Sequence, residues 1–458
     1  MESKAGGWRG RGRGRAGGRA ARTMPRFTHP LRPESRPASP PVGPVFKTIL
    51  LKDLTADADF LSNVPVISNC SCIGSYNWVS AGNNPTILVP GSPPAWAPLP
   101  EPMQLKEDSG TYFRDINAAS YSAHSIEPAV RAIAAQDPSF SGEDVDIFAC
   151  GSTLGNLLRF VRRVDKPFRF AVEVIGNTVF FVRRENDPRE TIQGVRGYGH
   201  TFPEAYTTWE EEAKGSRSHQ RLVKYDFAGL ACVVRFEGDG YLKHLDPDPQ
   251  PGPGILAGPS SATRLQVQSG GRVVPQAAVF DLKTRSAKRM DQDVLGEEMA
   301  RLWVAQIPNF VLAFHERGTF NTIRVHNVRK EVQQWERENE GTLRQLAALI
   351  RQIASIGKGR NDKRMEVRRK DIDVLEVREQ VGDAPAALPE EMKAWWKGAD
   401  VDGQSDSSSD DGSDDEPSFS AGSDTEAGAL LLESDDESDR DYTACSAEDC
   451  GYCGRCRY

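Results

Sequence analysis

Two short acidic clusters, each on a hydrophobic run, are the residues of this chain best equipped to do chemistry. Glu237-Gly-Asp239 stands in RFEGDGYL, and Asp281-Leu-Lys283 stands in AVFDLKTRS. Side chains at i and i+2 of a strand share a face. The spacing therefore predicts that Glu237 projects with Asp239, and Asp281 with Lys283. Where the two strands are neighbours, three carboxylates and one ammonium meet in a small volume. Buried carboxylates repel one another unless a cation holds them. Hard oxygen ligands select Mg2+ or Mn2+. Such an ion polarises a phosphoryl oxygen and makes hydroxide from its bound water, which a lysine can position. The chemistry is phosphodiester hydrolysis. Either cluster taken alone also fits a strand carrying surface salt bridges; the pair in order favours the site.

The elements that must position these groups are legible around them. Residues 294–306 have the apolar spacing of an amphipathic helix, with Leu295, Met299, Leu302 and Trp303 on one side. Pro308 ends it, Phe310–Phe314 reads as the next strand, and Gln306 at the helix end is placed to reach the site. Upstream, 46–52 and 86–89 read as strands, the second followed by a Pro-rich loop. SIEPAVRAIAAQ reads as a helix with Ser125 as N-cap and Pro128 in its first turn. VDIFACGSTLGNLLRFVRR reads as strand, turn and helix, and its Gly151-Ser152-Thr153 either holds a phosphate or simply caps the helix. FRFAVEVIGNTVFFVRRE and YDFAGLACVVRFEGDGYL read as hairpins turning at Gly176-Asn177 and near Gly229. Val332, Trp335, Leu343, Leu346, Ile350 and Ile353 predict one long amphipathic helix used for packing. The basic stretch KGRNDKRMEVRRK after it lines a nucleic-acid path or is a solvated loop and strand. Consecutive hairpins with outer helices predict an α+β fold, a mixed, largely antiparallel sheet with flanking helices.

Strand E-x-D, strand D-x-K, a helix ending in Gln and a further strand resemble the PD-(D/E)XK nuclease core. Within that superfamily the chain is similar to the DXO-type decapping exoribonucleases. That family's E-h-D, (E/D)-h-K and W-A-Q-S motifs correspond here to Glu237-Gly-Asp239, Asp281-Leu-Lys283 and Trp303-Val-Ala-Gln306. Its upstream arginine and glutamate correspond to Arg183 in FFVRRE and Glu204 in GYGHTFPEAYTTW. The resemblance covers roughly residues 45–385 and implies a fungal member. Three departures stand out: Gly238 inside E-h-D, Ile307 after Gln306, and a Pro/Gly-rich insertion from Lys243 to Arg272. The resemblance implies a site in which Asp239, Asp281 and Glu204 hold Mg2+ or Mn2+, with Glu237 helping. Lys283 orients water, Gln306 supports the lysine or the substrate, and Arg183 holds a phosphate. It further implies a complex with a nuclear 5′–3′ exoribonuclease.

The 458 residues divide by composition. Residues 1–44 are RG-rich and then Pro-rich, 45–397 form the catalytic domain, 398–444 are acidic and rich in Ser, and 445–458 carry a cysteine cluster. The net charge of −8 hides this asymmetry. Arg9, Arg11, Arg13 and Arg15 lie among glycines, a pattern that contacts RNA phosphates and stacks on bases. The acidic end cannot bury enough surface to fold. There Ser407, Ser413 and Ser434 each precede an acid by three residues, which suits an acidophilic kinase. Asp410-Asp411-Gly-Ser-Asp414 formally matches the D-D-x-x-D of polyprenyl diphosphate synthases, but a low-complexity run is the wrong context. Cys445, Cys450, Cys453 and Cys456 can bind Zn2+, an iron–sulfur cluster, or act as redox thiols. Cys70, Cys72, Cys150 and Cys232 read as reduced core thiols of an intracellular protein. No apolar run approaches the roughly 20 residues of a membrane helix, and no secretory h-region opens the chain.

The expected function is a metal-dependent hydrolase at RNA 5′ ends, acting by decapping, 5′-end pyrophosphohydrolysis and 5′–3′ degradation. Residence is expected in the nucleus, with the cytoplasm open. An RNA-binding scaffold on an inactive nuclease fold and a DNA nuclease on the same core are the alternatives.

Overall fold

The computed structural model describes residues 37–54, 64–80, 84–249, 264–382 and 384–398. The arginine-rich segment, the middle of the Pro/Gly insertion, the kinase sites, D-D-x-x-D and Cys445, Cys450, Cys453 and Cys456 lie outside the described residues.

Eleven strands form one mixed sheet. Arg169–Ile175 pairs antiparallel with Thr178–Arg183 across Gly176, and Ser216–Phe227 with Leu230–Glu237 across Ala228 and Gly229. Gly176, Ala228 and Gly229 have φ of 58°, 50° and 76°, the left-handed backbone that tight hairpins demand. Ile147–Cys150 lies parallel between Leu230–Glu237 and Thr178–Arg183 and runs straight into helix Gly151–Val161. Alternate residues of these strands serve opposite faces. Cys232 and Val234 join Leu157, Leu302 and Ile350 on one side. Val233 joins Ala129, Ile133 and Trp396 on the other. The sheet is thus covered on both faces, the α+β architecture expected.

Six strands form the second sheet, in the order Thr319–Asn327, Asn309–Glu316, Val279–Ser286, Gly240–Tyr241, Ala95–Trp96 and Thr207–Thr208. Val279–Ser286 and Asn309–Glu316 run parallel. Parallel neighbours need a crossover, and helix Val294–Ala305 supplies it. Asp293 caps this helix by accepting the Gly296 N–H at 2.9 Å. Gln306 ends it with φ of 51°. Trp303 fixes its roll: the ring packs edge-on against Phe227 at 5.3 Å between centroids, and Nε1 donates to Glu336 at 2.6 Å.

Two expectations are corrected. Ser125 does not cap the second helix; Glu127–Gln136 starts after Ile126 without a side-chain cap, and the Ser125 carbonyl accepts from Arg235 at 2.7 Å. The long helix is two helices, Arg329–Glu338 and Glu340–Gly359. Between them the Asn339 side chain and backbone N–H both donate to the Trp335 carbonyl, at 2.8 and 3.0 Å. The basic stretch contributes the inner strand Arg364–Asp371, flanked by Val374–Arg378 and Arg169–Ile175. Its Arg369 is buried and donates to the Lys166 carbonyl at 3.1 Å and to that of Val164.

Candidate active site

The chain crosses from the first sheet to the second within Glu237-Gly238-Asp239. Leu230–Glu237 ends at Glu237, and pairing resumes when Gly240–Tyr241 meets Val279 and Phe280. The two acidic clusters therefore lie in different sheets, and Glu237 and Asp239 flank a crossover where the spacing predicts one strand face. The acids are still brought together. Gly238 N–H donates to the His219 carbonyl at 3.0 Å, the last tie to the first sheet. The Asp239 carboxylate accepts the Leu282 N–H at 2.7 Å, which fastens it between Asp281 and Lys283. Gly240 is required here, because a Cβ would stand 2.3 Å from Phe280 Cζ. Asp281 and Lys283 share a face of the inner strand Val279–Ser286 and are 1% and 5% exposed.

Burial dominates the electrostatics, and neighbouring acids add to it. Burial pushes the Glu237 carboxyl up to about 7, and Asp239 and Asp115 add to it against Arg183 and Gln220. Glu237 nevertheless remains solvent-exposed, as on a concave surface. Burial likewise pushes Asp281 up to about 7, with Asp239 raising it further and Arg301 and Lys283 opposing. Glu298 goes the other way. Its burial is overcome by Arg301, Lys283 and Arg285, which hold it down at about 2.

Several groups at this junction carry no obvious signal in the sequence. Arg301 forks onto both oxygens of Asp281, and its Nε donates to Glu298 at 3.0 Å. The only local hint is the i, i+3 spacing of Glu298 and Arg301. His200 stacks on Tyr112 with centroids 3.5 Å apart and planes 6° apart. Burial lowers the His200 pKa and Lys283 adds to that, while Asp108 and Asp239 oppose. Asp115 caps helix Ile116–Ser120, and its burial is outweighed by Arg183 and Arg235, so it stays below the usual range.

The remaining expected residues are placed as follows. Arg183 closes its strand beside Glu237, donates to Glu185 at 2.7 Å and to the Arg114 carbonyl at 2.7 Å, and lies 3.9 Å from Asp115. Burial acts to lower the Arg183 pKa, and Glu185 and Asp115 more than reverse it. Glu204 is exposed on helix Thr201–Tyr206 and acts on Tyr112, the ring that stacks on His200. The Gln306 amide donates to the Trp303 carbonyl at 2.6 Å and so closes its own helix. The Ser152 and Thr153 hydroxyls lie 3.1 Å from Cys150 Sγ.

The donors Glu237, Asp239 and Asp281 are hard oxygens, and burial with Asp239 as a neighbour pushes Glu237 and Asp281 up. That chemistry fits a divalent cation. The arrangement is not closed around one: among the described residues, no group of three His, Cys, Asp or Glu is placed to hold a metal ion. Arg301 has taken Asp281, and Leu282 has taken Asp239.

Among solved structures, the chain is similar to Scheffersomyces stipitis Rai1 in complex with (3′-NADP)+ and calcium ion, with a TM-score of 0.51 and 12% identity over 77% of this chain and 100% of that one. It is also similar to S. pombe Rai1 in complex with 3′-FADP, at 0.49 and 10% over 73% and 99%, and to Candida albicans Rai1 in complex with pU5-Mn2+, at 0.48 and 11% over 77% and 99%. The first of these establishes that the expected nuclease-like fold is the fold of the chain. No curated protein matches it. Residues 58–396 match the family described as a domain of unknown function (DUF8563), and the chain belongs to that family.

Proposed function

We propose that this protein is a divalent-metal-dependent hydrolase acting at RNA 5′ ends, removing incomplete or non-standard caps, hydrolysing 5′-triphosphates and degrading the exposed strand 5′ to 3′. One observation carries the reading: a two-sheet crossover fastens Asp239 to the strand that delivers Asp281 and Lys283, with Glu237 acting on Asp239 from the first sheet. The fold shared with a Rai1 structure supports it.

Asp239 and Asp281, with Glu237, are the residues that would hold Mg2+ or Mn2+, whose chemistry is to polarise a phosphoryl oxygen and lower the pKa of a water. Lys283, on the same strand face as Asp281, would orient the attacking water there. Glu237, pushed up to about 7 and open to solvent, is poised to take or give a proton near neutrality. Arg183 lies beside Glu237, paired with Glu185 and Asp115, and is the proposed phosphate holder. Gln306 supports the site by ending the helix that carries Arg301. Glu204, exposed like Glu237, is proposed as a further contributor to the metal set, directly or through water. RNA is the proposed partner; the nuclear exoribonuclease and nuclear residence are proposed from the resemblance alone. Among the described residues no helix is long and apolar enough to cross a membrane.

A second reading, RNA binding without turnover, is favoured by the fork of Arg301 on Asp281. The test is cleavage of 5′-triphosphate, capped and 5′-monophosphate RNA by the full chain in Mn2+, Mg2+ or EDTA. Metal-dependent product that vanishes in Asp281→Ala supports hydrolysis, and the preferred end names the reaction. Binding of every RNA without product moves the assignment to the scaffold.

A further inference from the structure

The strand Val279–Ser286 delivers Asp281 to a place already served by a cation. Both terminal nitrogens of Arg301 lie on the Asp281 oxygens, and Nε donates to Glu298 at 3.0 Å. Helix Val294–Ala305 presents Glu298 and Arg301 one turn apart to the same strand. Glu298 in turn pairs with Arg285 at 3.2 Å, and both side chains have no exposure. Arg285, Glu298, Arg301 and Asp281 thus form a row of alternating charge across the base of the site.

A guanidinium fork and a divalent cation compete for one carboxylate, because both take its oxygens and their charges repel. Asp281 is 2% exposed and fixed on an inner strand, whereas Arg301 is 13% exposed at the end of a long side chain. The arginine is the group able to yield. Glu298 already holds its Nε and offers the place to which it can withdraw.

We infer that Arg301 is an internal counter-ion that competes with the divalent cation for Asp281, and that Glu298 sets how readily it yields. The inference rests on Asp239 and Asp281 being metal ligands. It makes the metal affinity of this chain tunable from one helix face, in opposite directions at two neighbouring positions. Removing the charge of Arg301 frees Asp281. Removing the charge of Glu298 takes away the carboxylate toward which Arg301 can withdraw.

The test is calorimetric titration of the full chain with MnCl2, without RNA. The variants are Arg301→Gln, Arg301→Lys and Glu298→Gln, with Asp281→Asn as the ligand-deficient control. Arg301→Gln is expected to bind Mn2+ at least ~10-fold more tightly than wild type, as loss of a contact-distance competing charge requires. Glu298→Gln is expected to bind several-fold more weakly. Should Arg301→Gln fail to fold, Arg301→Lys decides, since an ammonium cannot form the fork and its affinity should also rise. Wild type and the Arg301 variants binding Mn2+ equally overturns the inference and leaves the metal reading standing. No binding by wild type or by either Arg301 variant overturns both.

Discussion

Glu298 provides the most quantitative test of the charge row behind the site. Its side chain has no exposure, and it accepts from Arg301 at 3.0 Å and Arg285 at 3.2 Å. The perturbation is Glu298→Gln, which keeps the shape and removes the charge. Burial by itself would raise this carboxyl, but Arg301, Lys283 and Arg285 hold it at about 2. The unfolded chain ionises it near ~4.3. An acid depressed in the folded state contributes stability that is complete above the unfolded value and is lost as pH falls through the folded one. The gap between those values corresponds to ~3 kcal/mol. It agrees with the ~3–5 kcal/mol expected when one member of a buried ionic group is removed. The assay is urea unfolding of wild type and variant at pH 7 and pH 3, extrapolated to water. The variant should be less stable by ~3 kcal/mol at pH 7, and the difference should shrink by ~1–2 kcal/mol at pH 3. A difference below ~1 kcal/mol at pH 7, or one that does not narrow in acid, refutes the argument.

Two further predictions concern the crossover and the second acid. Gly240→Ala places a Cβ 2.3 Å from Phe280 Cζ, so it should cost ~1–3 kcal/mol in urea unfolding through overpacking; a neutral effect would mean that the strand Gly240–Tyr241 can shift away from its partner. Asp281 has the opposite sign from Glu298. Burial raises its folded pKa from 3.8 to about 7, so the metal-free protein should lose stability as pH rises between these values, and Asp281→Asn should flatten that slope in thermal melts taken from pH 4 to 8. Parallel slopes in wild type and variant would show that Asp281 is ionised throughout.

Much of the frame was legible because its determinants are local. The hairpins at Gly176-Asn177 and Gly229 announce themselves through turn residues between apolar runs, and their positive φ values explain why. The two-residue spacing of Asp281 and Lys283 on the strand Val279–Ser286 placed them together, and the helix over 294–306 followed from its apolar stripe and Pro308. The crossover at Gly238 was not legible. Strand ends depend on which distant segments pair, and here Glu237 pairs with Gln220 while Gly240 pairs with Phe280. Arg301 was missed for a related reason. Its direction follows from the roll of the helix, which Trp303 sets by packing on Phe227 in the other sheet. Asp115 and His200 stand far from the acidic clusters in sequence and reach them only through the fold. The break at Asn339 lies in one residue with φ of −105° and ψ of 18° inside an otherwise continuous apolar stripe, which the stripe does not announce.

The central claim is that the acids gathered at the crossover turn RNA over and do not merely accompany its binding. The most direct measurement is product formation from a labelled 5′-triphosphate RNA in Mn2+ by wild type and Asp239→Asn, with RNA affinity determined on the same preparations. The account predicts metal-dependent product from wild type, a loss of at least ~100-fold in Asp239→Asn, and affinities that agree within a few-fold. Equal product from both proteins, or RNA bound by wild type with no product at all, would contradict it.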